Sequence, residues 1–273
     1  MRVPAALVPG PRGPGRVLPA TLGLLALGAA ALLIVPLVGL VLRTPWSQAH
    51  QIVTSPAFVA ALRLSLVCSL AALAVSTLLG VPLAWVLARR QFWGKTLLRA
   101  LCVLPMVLPP VVGGVALLLA FGRRGVVGGP LFDATGFSLP FTTAGVVLAE
   151  VFVAMPFLVV TVEAALRAMD RRYEDAAATL GASRWTVFRR VTLPLVGPAL
   201  GAGMALCWAR ALGEFGATIT FAGNLPGRTQ TMPLAVYLQL ETDPRVAFLL
   251  SLVLLVISVT VLVALRQRYL APA

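Results

Sequence analysis

The chain alternates long apolar runs with short charged or Gly/Pro-rich stretches. Residues 17–42 carry no charge, and a helix of that length crosses the roughly 30 Å apolar core of a bilayer. The run is too long for the apolar segment of a cleaved signal peptide, so it is expected to remain as the first membrane helix. Five further runs follow at about 58–88, 97–121, 142–166, 195–221 and 246–265. The pattern predicts an all-α, polytopic membrane protein with six transmembrane helices, occupying residues 17–268 as one domain. The third run holds Pro105, Pro109, Pro110, Gly113 and Gly114, enough to interrupt helical hydrogen bonding. Irregular backbone at membrane depth is tolerated where protein or a water-filled cavity satisfies it, so this run is either a pathway element or a packing kink. The fourth run carries Glu150 and Glu163 near its two ends, where both are expected at the membrane interfaces.

Residues 1–16, rich in Pro and Gly, read as a flexible cytoplasmic tail. Residues 43–57 form a polar connection in which Trp46 suits an interfacial anchor. The Gly-rich stretch 122–141 is long enough to hold some structure of its own, and a polar loop runs from the fifth run to Arg245. Placing both termini in the cytoplasm leaves only Arg43, Arg123, Arg124, Arg228 and Arg245 on outer loops, with Arg63 and Arg210 inside runs, and most of the 22 basic residues on cytoplasmic segments. That bias sets the expected orientation.

Only 11% of the 273 residues are charged and 59% are apolar, whereas about a quarter are charged in soluble domains. A net charge of +13 does not point to nucleic acid here, because the charge lies between apolar runs rather than on a soluble face with polar or aromatic readers. Cys68, Cys102 and Cys207 sit inside apolar runs without paired ligand spacing and read as small hydrophobes, so no metal site is expected. His50 is the sole histidine, which leaves no Ser/His/Asp set; neither enzymatic activity nor a cofactor is expected. Gly94-Lys95-Thr96 matches the tail of a phosphate-cradling loop, but Arg89 stands where its leading glycine belongs and no strand precedes it. Nucleotide binding is therefore not expected.

Residues 173–198 form a charged, helix-prone island. Alanine and leucine favour helix in its first half, Gly181 breaks the run, and Ser183 can cap a second short helix over 185–191. Trp185, Phe188 and Val191 recur three apart and are expected on one face, an elbow suited to a groove on a soluble partner. Asp175-Ala176-Ala177, Gly181, Val191 and Leu193-Pro194 reproduce a known spacing: Glu-Ala-Ala, three residues, Gly, nine residues, Ile, one residue, Leu-Pro. The chain thus resembles the permeases of ATP-binding-cassette (ABC) importers, with Asp for Glu, Glu174 beside it, and Val for Ile. The resemblance implies a type I importer fold and a coupling loop over 171–195. In that loop Glu174, Asp175, Ala176, Ala177, Gly181, Ser183, Trp185, Phe188, Val191, Leu193 and Pro194 would meet a cytoplasmic ATPase.

Arg210 and Glu214 lie four apart near the middle of the fifth run. An arginine at that depth costs about 2.5–3.5 kcal/mol on insertion scales, so an i,i+4 acid is the expected compensation. The pair is either structural or a gate whose charges exchange partners; with Pro109, Pro110, Gly113, Thr218 and Thr220 it forms the candidate pathway. Beyond it, Asn224, Arg228, Thr229 and Gln230 are candidate outer-loop contacts, donors suited either to an oxyanion or to a docking partner. Residues 209–237 resemble the molybdate-transport permeases, close to the sulfate and thiosulfate permeases. That resemblance implies a homodimeric permease in the lipid of the bacterial cytoplasmic membrane, a pair of ATPase subunits, and an extracytoplasmic binding protein delivering molybdate, with tungstate a further substrate. A sulfate or thiosulfate permease is the alternative within the class. An ion-coupled secondary transporter is disfavoured, because it needs titratable groups at mid-membrane beyond Arg210 and Glu214.

Overall fold

Every regular element among residues 20–269, those described by the computed structural model, is a helix. The expected tail lies outside them. α1 (Ala20–Arg43) stands as a unit by itself, and residues from Thr44 onward form a second. In the second unit a short turn at Trp46–Gln48 and α2 (Ala49–Val53) lead into α3 (Pro56–Arg89). Ser55 caps α3 by accepting the Phe58 N–H, and Pro56 takes a first-turn position where a missing N–H costs nothing. One face of α3 is a buried ladder of small residues: Ser65, Cys68, Ser69, Ala72, Ser76, Gly80 and Ala84.

That ladder positions the core. After α3 come α4 (Lys95–Val107), α5 (Pro110–Phe121), α6 (Gly128–Thr135) and α7 (Thr143–Ala168). A Cβ on Gly80 would lie 3.1 Å from the Val159 side chain, so α7 packs on α3 at a distance that small residues permit. Cys68 clusters with Val146 and Gly80 meets Val159, which makes the two helices parallel. The chain then forms α8 (Arg172–Thr179), α9 (Arg184–Val187), a wide π turn at Phe188–Thr192, and α10 (Leu193–Leu212). α10 joins the core through Gly203, whose Cβ position is 3.2 Å from Leu158 and Thr161. α11 (Gly216–Phe221), α12 (Met232–Thr242) and α13 (Pro244–Tyr269) complete the chain. α12 and α13 pack on the start of α3 around Phe58, Ala61, Met232, Ala235 and Leu250.

Among the described residues, five helices are long and apolar enough to cross a membrane: Thr21–Arg43, Pro56–Arg89, Thr143–Ala168, Arg184–Leu212 and Pro244–Val261. The expected third run is instead α4 and α5, separated at Leu108 and Pro109. Leu108 is extended, as a residue before proline prefers, and two successive prolines supply no N–H to carry the α4 ladder onward. The expected fifth run is also divided, α10 ending at Leu212 and α11 beginning at Gly216. The loop expected to stay polar as far as Arg245 contains α12.

The two acids expected near the membrane interfaces are covered by protein. Glu150 and Glu163 are both buried, at 1% and 6% exposure, because α7 is enclosed by α3, α10 and the α4–α5 pair.

Candidate functional site

The elbow forms as its residues dictate, with one difference. α8 ends in a Schellman motif: Gly181 has φ +84°, its N–H donates to the Ala178 carbonyl, and the Ala182 N–H donates to that of Ala177. Ser183 caps α9 by accepting the Thr186 N–H at 3.2 Å. α9 is not a separate short helix, however. It runs through the π turn, where the Leu193 N–H reaches back five residues to Phe188, straight into α10. The widened turn lies just before Pro194, whose ring would otherwise press on the carbonyl of Arg190.

The π turn also changes the expected apolar face. Trp185 is 67% exposed, whereas Phe188 turns inward, stacked on Trp185 and edge-on to Trp85 of α3, each ring pair 5.5 Å apart. Val191 is half-buried; Leu193 and Pro194 are exposed. On the other arm Asp175 and Ala176 are exposed and Ala177 half-buried. A groove of about 380 Å³ runs between the arms, lined by Trp85, Arg90, Glu174, Asp175, Arg184 and Phe188 among others. Tyr173, Leu180 and Trp185 of the same segment are exposed, a set of apolar side chains larger than a solvated loop needs.

Two clasps at this end went unread in the sequence. Glu174 accepts from Arg89 Nη2 at 3.2 Å and from the Thr192 hydroxyl at 2.6 Å. Glu163 is paired with Arg99 of α4, whose Nε donates to it at 3.0 Å, and lies 3.9 Å from Arg167. Arg89, which in the sequence serves to exclude a phosphate-cradling loop, has its structural partner Trp85 four residues earlier, on the same face of α3.

At the other candidate place the two helix breaks meet. Pro110, Arg210, Glu214 and Gly216 share a pocket of about 310 Å³ with Val111, Gly213 and Phe215. Pro109 precedes α5 as its cap residue. α5 and α11 touch backbone to backbone: a Cβ on Gly216 would lie 2.7 Å from Pro110 Cβ, and one on Gly114 would lie 2.9 Å from the Ala217 carbonyl. Gly113 faces the Phe152 ring. Arg210 and Glu214 are paired as expected, Nη1 to Oε2 at 2.7 Å, although they do not lie within one helix. Glu214 sits beyond the end of α10, and its other oxygen accepts the Ala217 N–H at 2.8 Å, starting α11. Arg210 keeps 28% of its side chain exposed while Glu214 is buried. Thr218 is buried with its hydroxyl unpartnered, and the Thr220 hydroxyl donates to the Gly216 carbonyl.

The expected outer-loop contacts separate into two kinds. Thr229 and Gln230 are buried; Thr229 Oγ1 accepts the Leu225 N–H at 2.8 Å, and the loop closes on itself between Gly223 and Gly227, both at positive φ. Asn224 is half-buried and Arg228 exposed.

Residues 80–273 match the family model described as "Binding-protein-dependent transport system inner membrane component". The chain belongs to that family. This inner membrane component is 47% identical over 251 residues to the Molybdenum transport system permease protein ModB of Mycobacterium tuberculosis, covering 92% of this chain and 95% of the relative. It is 46% identical over 192 residues to ModB of Escherichia coli K12, covering 70% and 83%. The Sulfate transport system permease protein CysT of the same organism is 38% identical over 260 residues, covering 92% and 93%. In structure the permease is similar to a chain of a bacterial alginate ABC transporter in complex with an alginate pentasaccharide-bound periplasmic protein, with a TM-score of 0.74 at 17% identity, covering 91% and 92%. It is similar also to the inward-facing MetNI methionine ABC transporter, with a TM-score of 0.60 at 15% identity, covering 78% and 94%. These likenesses establish an ABC permease fold.

Proposed function

We propose that the chain is the permease subunit of an ABC importer carrying molybdate, with tungstate as a second substrate, across the cytoplasmic membrane. The observation that carries this reading is the 46–47% identity to ModB proteins, against 38% to CysT. Two copies of the permease, two cytoplasmic ATPase subunits and an extracytoplasmic molybdate-binding protein make up the transporter, and both termini of the permease are cytoplasmic. The subunit itself makes and breaks no bonds.

In this reading the elbow groove receives the ATPase. Exposed Trp185, Leu180 and Tyr173 supply apolar area, and Asp175 supplies a charge beside them. The pocket at the paired breaks is the narrow point of the pathway. Arg210 offers the anion a partly solvated guanidinium, and buried Glu214 opposes long residence by holding the opposite charge beside it. A passage that binds weakly releases quickly, so selectivity rests chiefly with the binding protein.

A sulfate permease is the second reading, favoured by the CysT identity over 92% of the chain. The test is uptake into vesicles reconstituted with the cognate ATPase and binding protein. Molybdate uptake at low micromolar concentration should exceed sulfate uptake; equal uptake of the two would refute the molybdate assignment.

A further inference from the structure

The two neighbouring acids of the elbow are used differently. Asp175 is exposed, whereas the Glu174 carboxylate turns back into the molecule. It lies 3.1 Å from the guanidinium of Arg89, the last residue of α3, and takes the hydroxyl of Thr192 from the π turn. The Arg89 side chain is only 10% exposed, and its guanidinium lies 5.7 Å over the Trp85 ring, which in turn meets Phe188 edge-on. One carboxylate therefore joins α8, the end of α3 and the π turn. Little else holds α8. Its eight residues include none that is buried, a length marginal for an isolated helix, and the Cβ position of Gly181 has no neighbour within 4 Å.

We propose that Glu174 is the latch that fastens the elbow to α3, so that a displacement of the elbow is delivered to α3 and the π turn together instead of being lost by rotation about Gly181. The proposal rests on the reading of the elbow as the joint with the ATPase. Glu174 is thus a positioning residue acting through Arg89 and Thr192, and Asp175 is left free for the partner.

The variants are Glu174→Gln, which keeps the shape and removes the charge, Glu174→Asp, and the reversed pair Arg89→Glu with Glu174→Arg. Two quantities are measured: the rate at which trypsin cuts the full-length permease in membranes at Arg171, Arg172 and Arg184, and the ATP hydrolysed per anion taken up by the complete transporter. Glu174→Gln should speed cleavage and raise the ATP cost per anion, each several-fold, with the ATPase still bound. Glu174→Asp should do so less, and the reversed pair, which adds an arginine beside Arg171 and Arg172 and is therefore read at Arg184 alone, should return both quantities toward the parent values. Unchanged cleavage in Glu174→Gln overturns the latch whatever the transport result. Faster cleavage with an unchanged ATP cost overturns instead the reading of the elbow as the coupling joint. If Glu174→Gln does not accumulate in the membrane, Glu174→Asp and the reversed pair still decide: cleavage in Glu174→Asp no faster than in the parent overturns the latch.

Discussion

Adding one methyl group at Gly114 tests whether α5 and α11 move as a single body. α5 and α11 meet at Gly114, where an added Cβ would fall against the Thr220 hydroxyl oxygen first, and would lie 2.7 Å from Thr220 Cβ and 2.9 Å from the Ala217 carbonyl oxygen. Ordinary contact begins near 3.4 Å, so Thr220 Cβ alone requires the helices to part by about 0.7 Å, and the nearer hydroxyl requires more. Neither neighbour can withdraw alone. The carbonyl belongs to the backbone of α11, and the Thr220 hydroxyl is tied to Gly216. Overpacking of this kind costs about 1–3 kcal/mol, whereas replacing an interior helical glycine by alanine returns about 1 kcal/mol of helix propensity.

Gly113 supplies the control. It lies on the same helix with the same propensity gain, but its Cβ would approach only the Phe152 ring, at 3.1 Å, and a ring can turn aside. Gly113→Ala should be neutral or slightly stabilising, and Gly114→Ala should be less stable than it by about 2 kcal/mol. The assay is denaturant-induced unfolding of the purified permease in a fixed mixed micelle, with anion uptake measured in parallel. Gly114→Ala should also lose uptake disproportionately, because the strain lies beside the Arg210 pocket. Equal stability of the two variants would show that α5 and α11 are not held at the observed separation.

Two further predictions follow from the same geometry. Glu214→Gln keeps an acceptor for the Ala217 N–H and loses only the charge, so it should cost about 1–2 kcal/mol given the partly solvated arginine, whereas Glu214→Ala also orphans that N–H and should cost about 1–3 kcal/mol more; Arg210→Gln combined with Glu214→Gln should recover part of the single-mutant loss in a double-mutant cycle on yield and uptake, and simple additivity would refute the pairing. Gly181→Val meets no neighbour, so its cost is the backbone strain of φ +84°, about 1–2 kcal/mol confined to the elbow; the complex should assemble yet transport poorly, and normal stimulated hydrolysis with normal uptake would count against the elbow as the coupling joint.

What the sequence made legible was local. Prolines 109 and 110 announce a break wherever they occur, and the structure breaks there. Gly181 with Ser183 announces the end of one helix and the start of another, and both caps form. The break after Leu212 was hidden, because an Arg/Glu pair four apart reads as a helical pair. In fact Glu214 starts a new helix by taking the Ala217 N–H, a side-chain competition with the backbone that spacing alone does not reveal. Burial of Glu150 and Glu163 was hidden for a different reason. Position along a helix tells depth, but not which neighbour covers that face, and the partner of Glu163 is Arg99 on another element. Thr229 and Gln230 looked like free donors because a polar loop closed by two positive-φ glycines has the composition of an open one.

The π turn at Phe188–Thr192 matters most to how the two candidate places communicate. Had α9 been a separate short helix, as its spacing predicted, motion at the elbow would be absorbed at a second joint. Instead residues 184–212 form one helix of 29 residues, about 40 Å long at 1.5 Å per residue. Its first turn carries Trp185 beside the groove, and its last turn carries Arg210 beside the paired breaks. The hydrogen-bond ladder is continuous through the π turn, so a tilt imposed at Trp185 is carried toward Arg210, less the part that the π turn and Pro198 take up as a bend. The Arg210–Glu214 contact spans the point where that helix stops and α11 begins, and α11 is held to α5 through Gly114 and Gly216. The ion pair is thus strained or relieved by any relative movement of α10 against the α5–α11 body. A pair lying wholly within one helix, as expected from the sequence, would feel none of it.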